Sequence, residues 1–159
     1  MKPSKFRESA QDLWSFSGKP GTYVFITTNG TVKQSGDLIM GKGCAKEAKD
    51  KFPGISAVLG EVIRKHGNQV IYVKEFGLGI FPVKTQWYNR ADLTLIRTSA
   101  QQLARIASEK NDKGEFAWKE IVLPRPGCGA GGLDWETQVR PALSEYFDER
   151  FIVVHKPVV

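Results

Sequence analysis

Five short runs of β-branched and aromatic residues alternate with segments of helical spacing, and this alternation constrains the fold more than any other feature of the chain. The runs are bounded by Gly, Pro or Asn, as strands commonly are, and they are residues 22–28, 69–74, 78–83, 119–124 and 151–155. Apolar residues recur at helical spacing in residues 44–52, 55–66, 92–110 and 135–147. Because the strands are apolar almost throughout, they indicate a sheet covered on both faces. The pattern predicts an α/β protein, a three-layer α/β/α sandwich rather than a barrel or a bundle.

The first twenty residues do not follow this pattern clearly. Phe6, Ala10, Leu13 and Trp14 have the spacing of a helix, whereas the run "KFRES" is equally compatible with an edge strand. Periodicity alone leaves both alternatives open.

Length and composition predict one domain over residues 1–159, since 41 % hydrophobic content suits one ordinary core and no internal repeat is visible. The apolar runs are far shorter than the roughly 20 residues of a bilayer span, and no signal segment is evident, so we expect a cytoplasmic protein without membrane contact. Cys44 and Cys128 are expected to be reduced thiols. The net charge of +6 favours anionic ligands, although simple solubility explains it equally well.

A first glycine-rich segment, "GDLIMGKGCAKEAKDKF" at residues 36–52, precedes a predicted helix and resembles a phosphate cradle. It matches the first seven positions of a P-loop, but Gly43 stands where the P-loop needs Ser or Thr to hold Mg²⁺. A second segment, "PGCGAGGLDW", satisfies the dinucleotide pattern at Gly127, Gly129 and Gly132. The acid that should follow the next strand of that motif is missing, so neither known motif fits.

Two glycine-rich loops remain, each placed after a strand and before a helix. Glycine lets backbone N–H groups approach an anion, and a helix start adds partial positive charge, so the pair is suited to clamp a diphosphate without metal. The alternative is that the glycines only make turns.

Three segments occur in a characteristic order, namely "TTNG…MGKGCAKEAKDKFPG", "FPVKTQW" and "LPRPGCGAGGLDW". Together they resemble the macrodomain family, which binds ADP-ribose across the top of a mixed sheet, and the similarity extends from about Asp12 to the C-terminus. The resemblance is to a branch containing antitoxin enzymes that remove ADP-ribose from DNA bases and relatives that remove it from acidic protein side chains. It implies a central mixed β-sheet, ADP-ribose or an ADP-ribosylated substrate as partner, and no cofactor or metal.

The resemblance also assigns candidate ligand contacts. Asp12 would accept a hydrogen bond from the adenine amino group, with Leu13 beside it, which makes the preceding segment a strand. Asn29 would face the distal ribose hydroxyls, although Asn29-Gly30 is also a turn-forming dipeptide and Asp12 could cap a helix. The remaining implied contacts, around the diphosphate and the distal ribose, are Thr28, Met40, Gly41, Lys42, Gly43, Cys44, Gly127, Cys128, Gly129, Ala130, Gly131 and Gly132.

Lys84 is the catalytic candidate that the resemblance implies, because similar enzymes carry a lysine there that acts on the anomeric carbon of the distal ribose. The amine would form a Schiff base or stabilise charge if burial or the like charges of Lys42, Arg90 and Arg125 lower its pKa. A solvated loop lysine is the alternative. The protein-deconjugating relatives have an aspartate where this chain has Gly131, and Asp134 is expected to begin the following helix, so the DNA-directed type is favoured.

Other catalytic groupings are poorly supported. His66 and His155 are not placed near Cys128 by the predicted elements, and two dispersed histidines and cysteines do not suit a zinc site. Trp87, Tyr88 and Arg90 form an aromatic and basic group suited to stacking on an unpaired base, or else Trp87 is a lid or core residue.

Four hypotheses follow for a chain expected to be a monomer. The first is an ADP-ribosyl hydrolase, and the second is a phosphatase for ADP-ribose 1″-phosphate, which needs a group to position water. The third is a binding module that reads ADP-ribose without turnover. The fourth is a small basic nucleic-acid-binding domain outside the family.

Overall fold

A mixed six-stranded sheet forms the centre of the computed structural model, which describes residues 6–111 and 118–155. Its strands are β1 (Arg7–Ser9), β2 (Thr22–Thr28), β3 (Ile71–Val73), β4 (Leu78–Pro82), β5 (Glu120–Pro124) and β6 (Phe151–Val154). Their spatial order is β1-β6-β5-β2-β4-β3, and only β3, which pairs with β4, is antiparallel to its neighbour among these strands. The predicted mixed sheet is confirmed.

Helices cover both faces of this sheet. They are α1 (Gly43–Lys51), α2 (Ile55–His66), α3 (Leu93–Asn111) and α4 (Arg140–Ser144). Alternate residues of β2 point to opposite faces, so that Phe25 packs in the hydrophobic cluster that contains α3 and α4 residues, while Val24 and Ile26 pack in the cluster beneath α1 and α2. Every residue of β4 and β6 is buried, which confirms the three-layer sandwich predicted from the apolar runs.

The N-terminal segment is an edge strand followed by a short helix. β1 pairs in parallel with β6, with Arg7 opposite Ile152, and Leu13–Phe16 forms one turn of 3₁₀-helix. The strand alternative was therefore right for Arg7–Ser9, whereas Lys5 of the run "KFRES" lies outside the described residues. The helical spacing has a different origin, because Leu13 and Phe16 are buried against the sheet while Phe6 lies edge-on to Trp135 at 6.0 Å.

The last predicted helix, residues 135–147, is shorter and less regular than its periodicity indicates. Asp134 begins it as predicted, since its carboxylate accepts hydrogen bonds from the Thr137 backbone N–H at 2.8 Å and the Thr137 hydroxyl at 2.6 Å. Trp135–Val139 is π-helical, with the Val139 N–H donating to the Asp134 carbonyl, and α4 ends at Ser144. Pro141 lacks an N–H, so this segment cannot form an uninterrupted α-helical ladder.

Five parallel strands bring their carboxyl ends to the same edge of the sheet. The loops after β2, β4 and β5 at this edge are the three segments that carry the family resemblance. Within the described ranges, no helix combines the length and the apolar character that crossing a bilayer requires.

Candidate functional site

A cavity of about 710 Å³ lies at the carboxyl edge of the sheet, between the loops that follow β2, β4 and β5. The sequence-predicted residues that line it are Thr28, Asn29, Gly41, Lys42, Gly43, Cys44, Lys84, Trp87, Tyr88, Gly127, Gly129, Ala130 and Gly131. Thr27, Ile39, Ala45, Asn89, Pro124 and Arg125 also line it, and sequence analysis did not predict them as ligand contacts. Segments far apart in the chain thus converge on one space, as expected for neighbouring parallel strands.

Several predicted contacts do not line this cavity. Leu13 and Met40 are buried in the hydrophobic cluster beneath α1 and α2, and Asp12 is exposed just before the 3₁₀ turn. Cys128 and Gly132 lie in the loop after β5 (residues 125–134, the phosphate loop) but do not line the cavity. Arg90 lies in the loop after β4 (residues 83–92, the middle loop) and does not line it either. Their contribution to ligand binding stays a prediction.

The charged lining residues are all cations. Lys42, Lys84 and Arg125 face the cavity, and among the described residues that line it there is no aspartate, glutamate or histidine. Such a cavity attracts an anion, and its own side chains provide no carboxylate to act as a base.

Lys84 stands directly after β4 and is half-buried. Burial lowers the pKa of its amine, and the positive charge of Lys42 lowers that pKa further. Arg90, considered from the sequence as another like charge, lies outside the cavity lining and donates its Nη2 to the Gly132 carbonyl oxygen at 2.6 Å. The free-amine form of Lys84 is therefore more accessible near neutral pH than that of an ordinary lysine.

The glycines of the two loops divide into two groups according to the space around them. A Cβ at Gly131 would lie 2.6 Å from the Gly127 carbonyl oxygen, and one at Gly127, whose φ is +73°, would lie 2.7 Å from the Ala91 Cβ. Chain packing explains these two glycines. A Cβ at Gly41 or Gly129 would meet no atom within 4 Å, and neither residue has a positive φ. Turn geometry does not require glycine there, and the open space leaves room for a ligand to approach the backbone closely.

Asn29 lies at the cavity and also stabilises its own loop. It lines the cavity, and its amide also holds the loop, with Nδ2 donating to the Ile39 carbonyl at 3.1 Å and Oδ1 accepting from the Thr31 N–H at 2.9 Å. The turn-forming reading of Asn29-Gly30 is therefore correct locally. Contact with a ribose hydroxyl would use the remaining donor and acceptor capacity of the amide.

The three loops are joined by hydrogen bonds. The Gly30 N–H donates to the Thr85 carbonyl at 2.9 Å, which ties the first loop to the middle loop. The Ala91 N–H donates to the Gly131 carbonyl at 3.0 Å, which ties the middle loop to the phosphate loop. The Trp87 N–H adds a bond to the Thr31 hydroxyl at 2.9 Å.

Trp87 and Tyr88 form an exposed aromatic pair at the cavity. Their side chains are 49 % and 67 % exposed, and the rings meet edge to face with centroids 5.8 Å apart. The alternative in which Trp87 packs in the core is wrong. Because the loop beneath them is held by hydrogen bonds, the rings project from a fixed base.

Neither cysteine is suited to act as a nucleophile. Burial raises the pKa of Cys128 to about 11, and burial also raises the pKa of Cys44, whose Sγ accepts from the Thr27 N–H at 3.4 Å. Both are unpaired thiols, as expected. In residues 6–111 and 118–155, no three His, Cys, Asp or Glu side chains gather as metal ligands.

Comparison with known proteins identifies relatives of the predicted kind, although no family model matches the chain. A curated protein of Thermosipho africanus (strain H17ap60334), a DNA ADP-ribosyl transferase-DNA ADP-ribosyl glycohydrolase fusion protein, is 26 % identical over 140 residues. The match covers 73 % of this chain and 34 % of the fusion protein, so the chain spans about a third of that relative.

Solved structures show the same fold. The macrodomain of Mycobacterium tuberculosis DarG superposes with a TM-score of 0.70 at 21 % identity, covering 98 % of this chain and 99 % of its own. The macrodomain of Thermus aquaticus DarG has a TM-score of 0.65 at 20 % identity, and the match covers 97 % of this chain and 99 % of that one. Thermosipho africanus DarTG in complex with ADP-ribose has a TM-score of 0.58 at 23 % identity, and the match covers 85 % of this chain and 39 % of that one.

Proposed function

We propose that this chain, which has the macrodomain fold and resembles DarG macrodomains in particular, binds ADP-ribose and removes it from ADP-ribosyl conjugates. The observation that carries the proposal is the cavity itself, which is lined both by a half-buried Lys84 with a lowered pKa and by two open glycine positions, Gly41 and Gly129. Two similar proteins support the proposal. The Thermosipho fusion protein is named as a DNA ADP-ribosyl glycohydrolase, and the DarTG structure is a complex with ADP-ribose.

The diphosphate would lie between the two glycine loops. The loop after β2 offers Gly41 and the start of α1, and the loop after β5 offers Gly129. Backbone N–H groups of both loops and the charge of Lys42 would replace the metal that other diphosphate sites use. The distal ribose then lies at the β4 side of the cavity, beside Lys84.

Lys84 would act on the anomeric carbon of that ribose. The free amine adds to this carbon while the bond to the conjugated group breaks and that group leaves with a proton. Water then hydrolyses the resulting adduct and returns ADP-ribose and the free amine. In the alternative role, Lys84 remains charged and stabilises the leaving group or the developing charge, and substitution by arginine distinguishes the two.

The cavity is less suited to the phosphatase reaction on ADP-ribose 1″-phosphate. That reaction needs a group that directs water at phosphorus, and no carboxylate or imidazole belongs to the described lining. The binding module without turnover differs from the hydrolase only in whether Lys84 is used, so activity measurements must separate them.

The finer part of the proposal is that the conjugated group is a nucleobase. Trp87 and Tyr88 lie on the same loop as Lys84, line the same cavity and are exposed, so a base attached to the anomeric carbon could stack on their rings. Stacking on an unpaired base is worth about 1–3 kcal/mol per base and would favour nucleic acid over protein conjugates.

Titration calorimetry with ADP-ribose, followed by turnover assays, tests the proposal. ADP-ribosylated single-stranded DNA, ADP-ribosylated protein and ADP-ribose 1″-phosphate are compared in parallel for the native chain and for Lys84→Ala. We expect ADP-ribose binding in both proteins and turnover of the DNA conjugate only in the native one. Binding without turnover of any substrate would favour the reader, and absence of binding would refute the site.

A further inference from the structure

The strand order gives the cavity two distinct ends. Lys84 follows β4 and Arg125 follows β5, and β2 lies between these two strands. Neighbouring strands are about 4.8 Å apart, so the starts of the two loops are separated by roughly 10 Å. Both residues line the same cavity.

This separation sets the direction in which a dinucleotide-like ligand must lie, if the proposed function is correct. With the distal ribose at Lys84 and the diphosphate between Gly41 and Gly129, the nucleoside end extends past β2 toward β5. The first polar side chain of the β5 loop at that end is Arg125.

Arg125 is held in place by contacts on two sides. Its Nη2 lies 3.5 Å from the Glu8 Oε1, and its guanidinium carbon lies 4.7 Å from the centroid of the buried Trp135 ring. The side chain is 27 % exposed and forms part of the cavity wall. The guanidinium thus lies over the Trp135 ring, and the same residue belongs to the cavity lining.

We infer that Arg125 is the stacking platform for the adenine base, with the guanidinium lying between Trp135 and the base. A guanidinium is planar and weakly hydrated, so it stacks on rings more readily than an ammonium does. The contact of Nη2 with Glu8 and the contact with the Trp135 ring together hold the guanidinium beside the cavity. Among the described residues that line the cavity, the aromatic rings all belong to the loop of Lys84. At the β5 end, therefore, no aromatic ring of this lining competes with Arg125 for stacking on the base.

The substitution Arg125→Lys tests this inference, because lysine keeps the charge and loses the plane. Titration calorimetry is carried out with ADP-ribose and with ribose 5-diphosphate, which lacks the base. We expect Arg125→Lys to weaken ADP-ribose binding about tenfold or more, in line with base stacking on a side chain. Affinity for ribose 5-diphosphate should remain within about twofold of the native value.

Arg140→Lys is the matched control. Arg140 Nε lies 3.3 Å from the other oxygen of Glu8, but Arg140 is outside the cavity lining. This variant should bind both ligands normally, and thermal unfolding of both variants verifies that the fold is intact.

The outcomes separate the inference from the function on which it rests. Native-like ADP-ribose binding by Arg125→Lys would overturn the stacking role. An equal loss of affinity for both ligands in a folded Arg125→Gln variant would also overturn it and would indicate a phosphate contact. If the native chain binds no ADP-ribose, the proposed function fails together with this inference.

Discussion

Replacement of Gly129 by glutamate should abolish ADP-ribose binding without unfolding the protein. A Cβ at this position meets no atom within 4 Å, and the backbone φ is not positive, so a side chain fits without strain. The same side chain would extend into the space assigned to the diphosphate. A carboxylate about 5 Å from a phosphate charge costs about 3 kcal/mol at an effective dielectric constant near 20.

Even one such repulsion corresponds to a loss of more than about 100-fold in affinity, and two phosphate charges would increase it. Titration calorimetry measures the affinity, and thermal unfolding of the unliganded protein measures stability. We expect the melting temperature of Gly129→Glu to stay within a few degrees of the native value.

Two further variants check the steric part of this reasoning. Gly129→Ala should fold normally and bind more weakly than the native chain but better than Gly129→Glu. Gly131→Ala should instead lower stability by about 1–3 kcal/mol, because its Cβ would lie 2.6 Å from the Gly127 carbonyl oxygen. Native-like ADP-ribose affinity in Gly129→Glu would show that the diphosphate does not lie on this loop.

Further predictions concern Lys84, metal ions and Asp12. Lys84→Ala should reduce turnover far more than ADP-ribose affinity, and Lys84→Arg should be equally inactive; an active arginine variant would exclude the nucleophilic role. Since burial and Lys42 lower the pKa of Lys84, the turnover rate should rise with pH and level off below the pKa of an ordinary lysine. A pH-independent rate across that range would contradict a free-amine catalyst. Excess EDTA should leave ADP-ribose affinity unchanged in calorimetry, whereas a loss would contradict the double glycine clamp. Asp12→Ala should weaken ADP-ribose binding by about 1–3 kcal/mol, and an unchanged affinity would place the adenine amino group elsewhere.

The layered fold was predictable because most of its strands and helices have a recognisable local sequence pattern. The apolar runs that became β2, β4, β5 and β6 needed no knowledge of their partners to be recognised as buried strands. β1 was not recognisable in the same way, since it has three residues and its pairing with β6 joins positions about 145 residues apart, as Arg7 and Ile152 show. Edge strands of this length carry too little pattern to outweigh a chance helical spacing.

The sequence predicted most of the residues that line the site, but it did not predict which of them serve packing and which leave space for a ligand. The sequence shows Gly127 and Gly129 as equivalent members of one motif, while the structure requires the first for packing against Ala91 and leaves the second open. Arg125 was considered only as a charge, because its ring partner Trp135 and its ion-pair partner Glu8 become neighbours only after folding. The hydrogen bond of Arg90 to Gly132 was not predictable for a similar reason, since it depends on how two loops meet.

The hydrogen bonds that join the loops after β2, β4 and β5 limit how this site can be re-engineered. Gly30 bonds to the middle loop and Ala91 bonds to the phosphate loop, so each loop uses the backbone of another as part of its own support. A loop transplanted singly from a related protein would leave unmatched donors and acceptors in its two neighbours. Exchange of substrate preference between relatives should therefore succeed only when the three segments are grafted together.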